Sequence, residues 1–103
     1  MESWLPVTAE ELEALLAVQL VNCTPEQQRF FDRCKATPYL APIQRFGNTE
    51  AVFVVAESGD RVLYYEDVED GFNISPLARD GSIAVPGWEQ WKLSHALQHF
   101  GAA

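Results

Sequence analysis

Cysteine is scarce, with Cys23 and Cys34 the only two in 103 residues. A disulfide framework at this length usually draws on four or more. The spacing also argues against one bridge. Thr24-Pro25 reads as a helix start, so the two cysteines flank a helix that rises roughly 16 Å, against the roughly 7 Å between Cα atoms that a disulfide allows. Two reduced cysteines are expected, with Cys34 in the core. Basic residues are also few, at 7 Lys and Arg against 15 Asp and Glu, for a net charge of −8. Such a chain, with no basic stripe, is repelled by phosphate, and nucleic acid is excluded as a partner. No apolar run is long enough to span a bilayer. The start, Met1-Glu2-Ser3-Trp4, lacks the basic and apolar stretches of a secretory signal. A cytoplasmic protein is therefore expected, with no membrane partner.

The catalytic and cofactor patterns are missing too. There is no G-x-S-x-G, no G-x-G-x-x-G and no P-loop. His95 and His99 have the i, i+4 spacing of a two-histidine zinc site. The residue after His95 is Ala96 rather than glutamate, and no third ligand follows. Asp67, Glu69, Asp70 and Gly71 lack the EF-hand spacing. No catalytic residue, no metal ligand and no cofactor is expected.

What the chain does contain is a 48% apolar content, which is that of a folded domain rather than a disordered tail. A single α+β domain over 1–103 is expected, built from two N-terminal helices, an antiparallel β-meander of about four strands, and a C-terminal helix. Thr8 with Glu11, and Thr24 with Gln27, each fit a capping box, with Pro25 at N1, so helices should cover 8–22 and 25–35. Leu12, Leu15, Leu16 and Leu20 form one apolar stripe, and Phe30, Phe31 and Cys34 another. From 49 to 57 the period changes to two and both faces are apolar, the mark of a central buried strand. Ser58-Gly59-Asp60 turns into a partner strand over 61–67, and a two-residue loop would pair Val55 with Tyr64 and Val54 with Tyr65. Short strands are expected at 72–74 and 83–85, with a further first strand at 40–46. The last helix should run from 88 to 100, with Trp88 and Trp91 on one face at i, i+3.

The charge is uneven. Residues 57–70 hold Glu57, Asp60, Glu66, Asp67, Glu69 and Asp70 against Arg61, a net −5. Residues 36–56 and 71–103 are each neutral. Acids at turns protect a small sheet from edge-to-edge pairing, and they also steer a basic protein partner. Glu66, Asp67, Glu69 and Asp70 are the candidate docking residues. A homo-oligomeric structural protein, joined through a sheet edge or the Trp88/Trp91 face, is the alternative, and a small enzyme or metal protein using His95, His99 and nearby acids is the third and weaker reading.

The segments Phe53-Val54-Val55-Ala56, Gly59-Asp60-Arg61, Tyr64-Tyr65-Glu66-Asp67-Val68-Glu69 and Gly71-Phe72 resemble small, acidic, uncharacterised bacterial proteins. More loosely, the whole chain resembles the immunity proteins of bacterial toxin systems. That resemblance implies a cytoplasmic, non-enzymatic binding protein of α+β fold, and it carries no functional residue over.

Overall fold

The computed structural model describes residues 7–45, 47–66, 70–87 and 89–101. Helix α1 spans Ala9–Leu20 and α2 spans Pro25–Cys34. Both begin at the predicted capping boxes. The Thr8 hydroxyl accepts from the Glu11 amide at 3.1 Å, and the Glu11 carboxylate accepts from the Thr8 amide at 2.9 Å. Thr24 and Gln27 repeat the exchange at 3.0 Å in each direction. Four amides that a helix start would leave unsatisfied are thereby paired. Val7 and Leu12, on either side of the Thr8 cap, pack into the same core.

Four antiparallel strands follow in the order β1-β2-β3-β4. They are β1 (Lys35–Arg45), β2 (Asn48–Ser58), β3 (Arg61–Glu66) and β4 (Gly71–Pro76), followed by helix α3 (Leu93–Phe100). The expected α+β meander is thus present, with several corrections. β1 begins directly after α2 and runs through Pro38 and Pro42. Proline lacks the N–H of a ladder bond and is tolerated on an edge strand, which β1 is. Gly59 supplies the positive φ, +63°, of the β2–β3 turn. Beyond that turn the register slips at Val55. Ala56 faces Leu63, but Val54 faces Tyr64 and Phe53 faces Tyr65. The expected Val55–Tyr64 and Val54–Tyr65 pairs are therefore off by one residue, through a β-bulge.

Residues 83–85 are not a strand. Ile83 makes single bridges to Ile43 of β1, in parallel, and to Leu77 just after β4, in antiparallel. Its amide donates to the Pro42 carbonyl at 2.8 Å. Since β1 and β4 are opposite edges of the sheet, this one residue links them and the sheet curls on itself. Inside the curl lie Ala41, Ile43, Val52, Val54, Val62, Tyr64 and Ile83. The helices cover the other face, where Leu12, Phe31, Leu97 and Phe100 meet Val55, Leu63, Tyr65 and Phe72.

The last helix starts at Leu93 rather than 88. Trp91 precedes it as extended chain, its carbonyl accepting from the Phe72 amide at 2.9 Å. Trp88 and Trp4 lie outside the described residues. Lys92, the N-cap, provides no side-chain bond. Instead, the Gln19 side chain of α1 accepts from the Leu93 amide at 2.6 Å. Two more glutamines tie helix ends together. The Gln27 amide donates to Ser94 O at 3.0 Å, and Gln28 donates to Leu20 O and Cys23 O at 2.8 and 3.2 Å. At the far end of α3, Arg61 donates to Phe100 O at 2.6 Å, with its guanidinium 5.2 Å from the centre of the Phe100 ring. The cation thus meets the negative end of the helix dipole.

Candidate interaction site at the turn after β3

Of the four predicted docking residues, Glu66 and Asp70 are described, and the two do not share one surface. Glu66 ends β3 and is 1% exposed. The two-residue side-chain period puts it on the same face as Tyr64 and Val62, inside the curl, so its carboxylate is not presented to a partner. Asp70 is exposed in the turn with φ +54°, a left-handed conformation that Asp and Asn tolerate. It accepts from the Tyr65 hydroxyl at 2.6 Å. Tyr65 in turn packs on Phe72, with ring centres 5.1 Å apart. The turn that carries Asp70 is therefore anchored to the helix-side core. Asp67 and Glu69 lie outside the described residues.

The acids of 57–70 divide between the two ends of β3. Glu57 and Asp60 flank the β2–β3 turn with Arg61, the one base of the segment. Asp70 sits at the other end. Five strand steps separate Arg61 from Glu66, about 17 Å at 3.3 Å per residue, or about twice the Debye length near physiological salt. With its guanidinium on the Phe100 carbonyl, Arg61 does not neutralise the turn after β3. The ion pair Lys35–Asp32, 3.0 Å, lies at the end of α2.

At the near end, Tyr39 of β1 donates its hydroxyl to the Glu57 carboxylate. Burial, reinforced by that bond and by the carboxylate charge, pushes the Tyr39 phenol up to about 12 from 10.0. A raised folded-state pKa means that the native state holds the proton more tightly. The contribution to stability is complete below pH 10 and is lost as pH rises through about 12. A spectroscopic phenolate titration should show Tyr39 ionising late, and Tyr39→Phe should remove that step along with the corresponding fall in stability. A step unchanged in Tyr39→Phe would assign it elsewhere.

The remaining polar chemistry is dispersed. Cys23 is buried, 7% exposed, and Cys34, expected in the core, is half-buried and packs against it. Both thiols are free, and burial pushes both pKa values up, against nucleophilic use. His95 and His99 are exposed on α3, and with Trp91 they form a cluster of three rings. His99 stacks on the indole at 4.5 Å and 4°, and His95 lies 5.0 Å from His99. Among the described residues no group of three or more His, Cys, Asp or Glu is placed to hold a metal ion. Asp80 is held below the usual carboxylate range by the Ser82 hydroxyl and amide, at 2.6 and 3.0 Å. An open groove of about 410 Å³ runs between α1 and the start of β1, lined by residues that include Leu16, Leu20, Phe31 and Pro38.

The charge pattern also hid a row of buried polar side chains, Asn73 and Ser75 of β4 with Glu66 of β3. Asn73 and Ser75 sit among apolar neighbours at alternate positions, which is the one trace they leave in the sequence.

No protein-family model, no curated protein and no solved structure matches the chain. Among the described residues, no helix is long and apolar enough to cross a membrane.

Proposed function

We propose that this chain is a non-enzymatic, cytoplasmic protein-binding module that docks a basic protein partner through the acidic turn after β3, in the manner of the immunity proteins it resembles. The observation that carries this reading is the placement of Arg61. The one base of the acidic segment is used at the far end of β3 on helix α3, so it does not offset the charge that Asp67, Glu69 and Asp70 bring to the sequence after β3. Fields of this kind raise association rates by about 10 to 10³-fold.

The test variant is Asp67→Asn, Glu69→Gln, Asp70→Asn, with Glu66 left in place because it is buried. Asparagine at 70 tolerates the positive φ and still accepts from Tyr65, so the fold should survive. Partners captured from native lysate by the wild type are then measured against both proteins. The variant should associate about tenfold more slowly, or worse, at low salt, and the difference should close at high salt. Equal rates with equal salt dependence would reduce the turn to a solubility device.

A homodimer has its own support in the exposed apolar side chains Val18, Val21 and Leu40, at 65%, 77% and 61%. A mass that rises with protein concentration would favour it.

A further inference from the structure

Helix α3 carries its histidines on the side away from the core. Leu93, Ala96, Leu97 and Phe100 are buried, while His95 and His99, one turn apart, are exposed. Trp91, four residues before His95, completes a set of three rings in mutual contact. The indole and His99 are stacked at 4.5 Å and 4°, and the indole and His95 lie 5.3 Å apart. The two imidazoles lie 5.0 Å apart with their planes tilted by 44°. The base of this set is held in place, since the Trp91 carbonyl accepts from the Phe72 amide of β4 at 2.9 Å. Among the described residues, none makes a hydrogen bond or ion pair to either imidazole, so their nitrogens are open to a ligand.

The separation of the imidazoles is that of a chelate. A metal–nitrogen bond of about 2.0–2.1 Å, extended by about 1.1 Å to the ring centre, puts each ring about 3.2 Å from a shared cation. At an angle of about 90–110° between ligands, the ring centres then lie about 4.5–5.2 Å apart. The observed 5.0 Å falls within that range. A half-turn about the Cβ–Cγ bond exchanges the edges of an imidazole and keeps its plane, so His99 can turn a nitrogen to the cation without leaving the indole. The stack also limits the side-chain freedom that binding has to remove. Two further features favour positive charge here. His99 lies in the last turn of α3, at the negative end of the helix dipole, and the chain carries a net charge of −8.

We propose that His95 and His99 together chelate a divalent first-row transition cation on the outer face of α3. Imidazole nitrogen suits nickel, copper and zinc. Among the described residues, no third His, Cys, Asp or Glu joins the pair. Water completes the coordination, so the cation is exchangeable rather than a fixed part of the fold. The expectation of no metal ligand rested on that missing third protein ligand, which a tightly held zinc needs and a two-point chelate does not.

Titration of nickel(II) into the full chain without a histidine tag tests this, since nickel(II) does not oxidise thiols. One nickel should bind per chain. It should raise the denaturation midpoint and broaden the NMR signals of both imidazoles and of the Trp91 indole together. His95→Gln and His99→Gln change exposed positions and should fold as the wild type does. Each should weaken nickel binding about tenfold or more, because one arm of the chelate is gone. The double variant should bind little more weakly than either single one, since the two losses are one event. Excess magnesium should not compete, because it takes oxygen ligands. Three results would overturn the proposal: no nickel bound at millimolar concentration, two nickel ions per chain with one lost for each histidine, or binding that survives either substitution, as it would on the acidic turns.

Discussion

Replacing Ile83 by alanine is expected to lower the unfolding free energy by about 2–5 kcal/mol, the usual range for an isoleucine cut back in a packed core. Ile83 is 4% exposed, and its side chain packs with Ile43, Val54 and Tyr64 inside the curl. It is also the residue that bridges the two edges of the sheet. The loss is a large part of the roughly 5–15 kcal/mol that holds a domain together. In a chain of this length it should lower the melting temperature by on the order of 10–20 °C. Val85→Ala, two residues on at 58% exposure, is the control and should stay within about 0.5 kcal/mol of wild type. Equal denaturation midpoints for the two variants would mean that Ile83 closes nothing.

A comparable loss, about 1–3 kcal/mol or more, is expected from Gly71→Ala by overpacking. Gly71 opens β4 opposite Glu66. A Cβ there would lie 2.3 Å from Gln90 Cα, 2.6 Å from Gln90 C and 3.0 Å from Trp91 N. These are backbone atoms, so no rotamer change relieves the clash and the chain at 90–91 must move away. The Phe72 amide, which donates to Trp91 O, should therefore lose hydrogen-exchange protection as the denaturation midpoint falls. A midpoint and a Phe72 protection both equal to wild type would show that Gln90 does not pass so close to β4.

The parts of this fold that were legible in the sequence are those whose causes are local. Thr8 and Thr24 each find their capping partner three residues away, so both helix starts could be read directly. The β2–β3 turn was equally plain, because Gly59-Asp60 supplies its own backbone conformation. The register beyond it was not. Val54, Val55 and Ala56 are all apolar, and a one-residue slip leaves hydrophobic side chains on both faces, so alternation cannot detect the bulge. The start of α3 was misplaced for a different reason. Lys92 is no cap, and the acceptor for the Leu93 amide comes from Gln19, 74 residues earlier in the chain. The spacing of Trp88 and Trp91 imitated a helix face in its place. The full length of β1, through Pro38 and Pro42, was hidden because an edge position cannot be recognised before the sheet is assembled. Glu66 was grouped with the acids that follow it. Its burial depends on strand parity and on the later chain that covers that face, neither of which a charge count registers.

The three glutamines that join the helix ends have a consequence for how the protein behaves in different buffers. Gln19, Gln27 and Gln28 connect α1 to α3, α2 to α3 and α2 to α1 through neutral amides. Screening by salt acts on charges and leaves such bonds alone. In a chain with a net charge of −8, ionic strength therefore acts mainly on the exterior, through solubility and the encounter with other molecules. The joints of the helical layer are the same in dilute buffer as in concentrated salt, so a salt titration of binding reads the surface with little contribution from helix rearrangement.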